Sequence, residues 1–197
     1  MQLYLASQSP RRRKILEDLG LRFGVLDSAY HEVIPPGHPD PPSLAREYAL
    51  RKWEHLPAGP PPPGLVITAD TLVYLGERVF GKPVDEPDAR RMITALAGRS
   101  HRVVTGLCLH APDRPGPAVV SEVTAVRFDR MSAAAVDRYL AHGDWRDKAG
   151  AYAIQGYASL FIREIRGCYF NVVGFPVNRF FRTLASMGIP LDAFDQR

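Results

Sequence analysis

The stretch Gln2–Gly20, QLYLASQSPRRRKILEDLG, decides how the rest of the chain is read. Gln2 to Ala6 is short and apolar enough to be a buried strand. Ile15, Leu16 and Leu19 fall on one helical face, and Gly20 follows as a stop. Between them Ser9 suits an N-cap and Pro10 the first helical position. The stretch therefore reads strand, tight turn, helix N-terminus. A helix start favours acids, because its free N–H groups carry about half a positive charge. Here the chain puts Arg11, Arg12 and Arg13 at that point. Two explanations fit these residues: an anion held at the turn, or a solvated basic turn after an ordinary cap.

Working outward, strands and helices interleave. Leu21–Leu26 reads as a second strand, and Pro35–Pro42 as a stiff loop. Ser43 is expected to cap a helix running to about His55, with Lys52 in its last turn. There a cation suits the helix C-terminus on structural grounds alone. Ala58–Gly64 reads as a surface loop of polyproline character. Leu65–Leu75, LVITADTLVYL, is the most strand-like run, and Gly76-Glu77 turns it into Arg78–Phe80. It carries one carboxylate, Asp70. An unpaired buried aspartate costs several kcal/mol, so Asp70 must be hydrogen-bonded, metal-bound or at the strand end. Further helices are expected after Pro87, Ser132 and Pro176. Strands are expected over Ser100–His110, Val119–Phe128, Leu160–Ile165 and Tyr169–Val173. The sum is a mixed-sheet α/β (α+β) protein, read as one domain over residues 1–197.

Composition excludes several classes. The chain has 197 residues, 46% of them hydrophobic, and no apolar run reaches the ~20 residues that span a bilayer. The N-terminus enters a strand directly, with no signal peptide in view. Cys108 and Cys168 both lie in apolar segments, so a disulfide framework is not expected and a reducing cytoplasm is. The net charge of +4 comes without a dense basic tract, so no nucleic-acid polymer is expected as partner. Only four of the 25 basic residues are lysines: Lys14, Lys52, Lys82 and Lys148. A lysine kept among so many arginines can mark a place that needs a compact charge. Lys14 and Lys148 are read as chance retentions.

No GxxxxGK[ST] loop, strand-linked GxGxxG, HExxH, CxxC or GxSxG is present. What remains is arginines at a helix start, lone lysines, and the carboxylates Glu32 and Asp70. Basic groups neutralise phosphates, and carboxylates hold a divalent metal and orient water. That set suggests phosphoryl chemistry without naming the substrate.

Leu5-Ala6-Ser7-Gln8-Ser9-Pro10-Arg11-Arg12 resembles the signature opening of the Maf family of nucleoside triphosphate pyrophosphatases. The likeness continues through Ala45–Lys52, Ile67–Thr71, Gly81-Lys82-Pro83, Gly98-Arg99, Val104-Thr105-Gly106, Gly150–Gly156 and Asn171–Pro176. Several motifs in order, at family spacing, make accident unlikely. The resemblance implies an elongated mixed sheet flanked by helices, in two lobes around a central cleft, as in inosine triphosphate pyrophosphatases. It implies a cytoplasmic homodimer, dependent on Mg²⁺ or Mn²⁺, that splits a nucleoside triphosphate between the α and β phosphates. By position it makes Asp70 the catalytic carboxylate or a metal ligand, with Glu32 on the metal side. It makes Ser7, Arg11, Arg12, Lys52 and Lys82 contacts of the triphosphate, and Arg11, Thr71 and Gln155 the specificity positions. Thr71 and Gln155 resemble the branch acting on dTTP and UTP, where a sister branch takes 7-methyl-GTP. Against this stand a house-cleaning hydrolase of modified nucleotides such as ITP, and a nucleotide-binding regulator of septum formation. The sequence departs from the family at Ser28–Glu32, which is less acidic, at Trp53, and at Ala153.

Overall fold

Asp70 lies on the longest strand of the sheet, an interior strand, at a break in the pairing along one of its edges. A computed structural model describes residues 1–38, 40–57 and 63–194. The strand is β3 (Gly64–Leu75). One edge of it pairs antiparallel with β5 (Ser100–His110) over its whole central length, Asp70 opposite Gly106. The other edge is shared. β1 (Gln2–Ala6) runs parallel to β3 and stops at the pair Ala6–Thr68. β4 (Arg78–Phe80) pairs antiparallel with β3, beginning at Val73. Between Thr68 and Val73 that edge of β3 has no ladder partner. β2 (Gly24–Leu26) lies outside β1, and β6 (Ala118–Phe128) and β7 (Ile162–Arg166) extend the sheet beyond β5. The result is a seven-stranded mixed sheet in the order β2-β1-β3-β5-β6-β7, with β4 beside β3.

Helices cover both faces. α1 (Pro10–Asp18) and α6 (Val177–Ser186) pack with Leu3, Leu5, Leu65 and Ile67 around Leu16, Phe175 and Phe180. α3 (Glu86–Leu96) and α4 (Ala133–His142) pack on the same face further along, with Val73, Val103 and Val126. The two apolar clusters on that face are divided by a polar band of Thr71, Thr105, Thr124 and Asn171. The opposite face carries α2 (Pro41–Glu54), with Leu44, Ala45 and Tyr48 on Leu72, Tyr74 and Val104.

Local chemistry explains where elements start and stop. Ser9 caps α1 and Pro10 opens it, as read. Leu21 is absorbed in the stop. Its N–H bonds Leu16 O and the Gly20 N–H bonds Glu17 O, so β2 begins only at Gly24 rather than Leu21. The cap of α2 is Asp40, not Ser43. The Asp40 carboxylate accepts from the Ser43 N–H and hydroxyl, which puts Pro41 at the first helical position. Ser132 caps α4, and α6 starts at Val177 after Pro176, both as read. Tyr157–Phe161 is a 3-10 turn, so β7 starts at Ile162 rather than Leu160.

One element changes type. Tyr169–Val173 is a helix, α5, not a strand. A short apolar run carries no periodicity that separates the two. Asn171 decides it. Its side chain, 0% exposed, accepts from Thr105 N and donates to Val103 O and Thr124 Oγ1. One amide thus does what strand pairing would have done, and Gly174 closes the helix in the left-handed conformation. The proline loop read over 58–64 lies outside the described residues except at Pro63 and Gly64, as does Pro39 of the earlier loop.

Candidate active site

Asp70 points to the face of the sheet that carries α2, and Thr71 to the opposite face, because neighbouring strand residues alternate. Both stand at the unpaired stretch of β3. α2 is brought close by a backbone contact. A Cβ on Gly106, the register partner of Asp70, would lie 2.1 Å from Ala45 O. Only glycine lets the helix backbone rest on β5 at this point. One turn further, Thr68 Oγ1 donates to Ala49 O at 2.5 Å. These two contacts aim the last turn of α2, and its Lys52, at Asp70.

Lys52 Nζ donates to Asp70 Oδ1 at 2.7 Å and to Ala69 O at 3.4 Å, and it also pairs with Glu32 Oε1. One ammonium therefore sits between two carboxylates. Asp70 is 7% exposed. Burial pushes its carboxyl up to about 6, against the pull of Lys52, and the Glu32 charge adds to the rise. Burial also pushes Glu32 up, but the Lys52 charge and the hydrogen bonds it accepts outweigh this and hold it at about 2. The pair thus splits into a fixed anion and a carboxylate that titrates near neutrality. That split is what acid–base work by two neighbouring carboxylates requires.

Across the strand lies Arg12, 8% exposed. Its guanidinium donates from Nε to Gly174 O at 2.8 Å, from Nη1 to Ser7 Oγ at 3.0 Å and from Nη2 to Thr71 Oγ1 at 3.1 Å. All three acceptors are neutral, and no carboxylate of the described residues lies within ion-pair distance. Burial works against the charge, and Asp70 is the main group favouring it. Three of the five N–H donors of an arginine are used, which leaves one on each terminal nitrogen. Thr71 Oγ1 is in turn 2.9 Å from Thr105 Oγ1, which donates to Asn171 O. Ser7 and Thr71 thus hold Arg12, while Asn171 and Thr105 hold Thr71.

The other expected residues divide. Arg11 is half-buried and makes no hydrogen bond or ion pair among the described residues. Arg13 is turned away and bonds Gln8 Oε1. Lys82 is exposed and makes no hydrogen bond or ion pair among the described residues; it is next to Gly81, whose carbonyl accepts from Gly150 N at 3.0 Å. Gln155 is exposed at the tip of the turn Ala153–Gly156. Neighbouring Ile154 is buried in the cluster that holds Ile15 and Phe175, which sets this turn on the α1 side of the molecule. Trp53 packs against His110, ring centroids 4.7 Å apart, away from the carboxylates.

Lys148, read as a chance retention, lies near Arg11. Burial lowers its pKa, and the charge of Arg11 lowers it further. It is half-buried, donates to Arg146 O at 3.1 Å, and makes no ion pair. The loop holding it is unusual, since Asp147 and Ala151 both have positive φ, at 57° and 60°. Such strain persists only where surrounding contacts enforce it. Here Tyr139 OH on Ala151 O and Gly150 N on Gly81 O do so.

Of the described residues, Glu32 and Asp70 are the carboxylates at this site that could hold a divalent metal. Among the described residues no three His, Cys, Asp or Glu side chains cluster as a metal cage. Two carboxylates that already share one cation fit Mg²⁺ or Mn²⁺, which take one or two carboxylates together with substrate phosphates. Lys14 pairs with Asp18 on the exposed face of α1, as a solvated lysine does.

A family model described as Maf-like protein matches residues 2–187. The chain is 41% identical over 184 residues to the dTTP/UTP pyrophosphatase of Syntrophomonas wolfei subsp. wolfei, covering 93% of this chain and 96% of that one. It is 43% identical over 195 residues to the dTTP/UTP pyrophosphatase of Anaeromyxobacter dehalogenans strain 2CP-C, covering 96% of each. It is 36% identical over 197 residues to the dTTP/UTP pyrophosphatase of Aquifex aeolicus, covering 98% and 100%.

Proposed function

The chain belongs to the Maf-like protein family, and from that premise we propose that it is a nucleoside triphosphate pyrophosphatase acting on dTTP and UTP. The observation that carries the reading is a juxtaposition. A carboxylate that titrates near neutrality lies across one strand from a buried guanidinium that has no carboxylate partner. The names of the relatives supply the substrate class.

The reaction asks for a water activated beside a bound polyphosphate. Arg12 offers its two free N–H groups to phosphate oxygens, at a fixed angle set by Ser7, Thr71 and Gly174. Arg11, Lys52 and Lys82 add positive charge around the chain of phosphates. Asp70 accepts a proton from water as the water oxygen bonds the α phosphorus. The bond from that phosphorus to the bridging oxygen breaks, and pyrophosphate leaves with the electron pair. A pKa of about 6 leaves Asp70 ionised yet basic enough for this at neutral pH. Lys52 holds Oδ1 of Asp70. Glu32, ionised throughout, keeps Lys52 in place and compensates its charge. A divalent metal ion held by Glu32 and Asp70 would neutralise charge on the phosphates. Gln155 presents both a donor and an acceptor, as the edge of uracil or thymine requires.

Pyrophosphate release is measured from dTTP, UTP, CTP, 7-methyl-GTP and ITP, with Mg²⁺ and with Mn²⁺, beside the Asp70→Asn variant. Turnover of dTTP and UTP is expected, and Asp70→Asn is expected to abolish it while nucleotide still binds. A preference for ITP or 7-methyl-GTP would overturn the substrate assignment. An active Asp70→Asn enzyme would overturn the role of Asp70.

A further inference from the structure

We propose that Asp144 is a positioning residue for base recognition: its carboxylate locks the turn that presents Gln155. The inference rests on reading Gln155 as the residue that meets the base.

Gln155 makes no hydrogen bond among the described residues. The direction of its amide therefore depends on the turn Ala153–Gly156, which the Gly156 N–H closes on Ala153 O at 3.2 Å. Buried Ile154 anchors one side of that turn. The other side is held from α4. Asp144 follows Gly143, the left-handed cap of α4. Its Oδ2 accepts from Tyr157 N at 2.6 Å. Its Oδ1 is 3.3 Å from His142 Nδ1. The Tyr157 ring stacks on His142, centroids 4.8 Å apart and 26° from parallel, so both partners of the carboxylate are fixed to each other.

Gly156 gives the second line of argument. Its backbone is extended, with φ −104° and ψ −157°, and lies outside the left-handed region. Yet a Cβ there would lie 2.3 Å from Asp144 Oδ2 and 3.0 Å from Asp144 Cγ, with the next atom, Ala153 O, at 3.8 Å. The first atoms a side chain at Gly156 would meet are those of the Asp144 carboxylate, which is itself held by Tyr157 N. Removing the carboxylate makes room for the methyl group that the native turn excludes.

The test uses the full chain as wild type, Asp144→Ala, Gly156→Ala, the double variant and Gln155→Ala. Two quantities are read: the ratio of kcat/KM for UTP to that for ITP, and the inhibition constant of inorganic pyrophosphate, which has no base. Gly156→Ala is expected to lower the UTP/ITP ratio about tenfold or more, and Asp144→Ala about fivefold, because a small misplacement of a polar contact is costly. Pyrophosphate inhibition should stay within about twofold of wild type. In the double variant the ratio should return to that of Asp144→Ala, since the clash has gone. A double variant no better than Gly156→Ala overturns the proposal. So does a Gly156→Ala variant equal to wild type, or pyrophosphate inhibition weakened in parallel. If Gly156→Ala fails to fold, the ratio and inhibition in Asp144→Ala decide. If Gln155→Ala leaves the ratio unchanged, the base-reading role of Gln155 fails. If Gln155→Ala lowers the ratio and the Asp144 and Gly156 variants do not, only the lock fails.

Discussion

Replacing Asp70 with asparagine should stabilise the protein at neutral pH. The carboxyl is 7% exposed and is pushed from 3.8 to about 6, first by burial and then by Glu32, with Lys52 and Arg12 opposing. It therefore binds its proton more tightly in the folded than in the unfolded chain. Between pH 3.8 and about 6 the folded state holds more protons, so stability falls as pH rises through that window and stays lower above it. At 1.36 kcal/mol for each tenfold change in proton affinity, the fall approaches about 3 kcal/mol. Asparagine is nearly isosteric and cannot ionise, so the variant escapes the fall. Glu32 does not confuse the comparison. Its carboxyl is held at about 2, so its own contribution is present above pH 4.5 and is lost only as pH drops toward 2. The assay is urea unfolding of both proteins at pH 4.0 and 7.5, with EDTA to keep divalent ions from the carboxylates. The stability of Asp70→Asn relative to wild type should rise between these pH values by about 2–3 kcal/mol. Any packing difference of the amide contributes at both ends and cancels. Parallel curves, or a relative loss at pH 7.5, would refute the assignment of Asp70 as a raised, buried acid.

Three further outcomes are expected. Gly106→Ala puts a methyl group on Ala45 O, so it should lower stability by about 2–3 kcal/mol and cut kcat/KM by separating Lys52 from Asp70; an unchanged kcat/KM in a folded variant contradicts this. Asn171→Ala strands Thr105 N and Val103 O in the interior and should cost about 3 kcal/mol or more in chemical denaturation, and a loss under about 1 kcal/mol would show that the polar band is not what joins α5 to the sheet. If Lys148, beside Arg11, also meets the phosphates, Lys148→Met should raise KM for UTP about tenfold with kcat much less affected and flatten the dependence of KM on salt; a normal KM would refute that contact.

Much of the fold could be read from the chain because its signals are local. Caps, prolines and alternation fixed β1, α1, β3, β5, β6 and α4 within a residue or two, since each depends on neighbours along the chain. Misreadings fell where a distant group intervened. Tyr169–Val173 has the composition of a strand and becomes a helix because Asn171 finds partners on β5 and β6. Leu21 is spent on closing α1 before β2 can start. Among the residues the sequence singles out, Asp70 is marked as a lone carboxylate in an apolar strand, and Lys52 and Lys82 by the scarcity of lysine; the structure brings Lys52 to Asp70.

By itself the sequence determined the residue types available for the chemistry, the order of most elements, and a phosphate-handling reading, because charge, chain stiffness and periodicity are properties of short segments. Only the tertiary structure decided how those residues divide the work. It set Arg12 inside the protein on three neutral acceptors. It put one ammonium between Glu32 and Asp70 and so drove their proton affinities apart. It opened the edge of β3 at Asp70 by ending β1 before β4 begins. Desolvation and Coulomb interaction depend on distance in space, and a distance between residues far apart in the chain exists only once the sheet has formed.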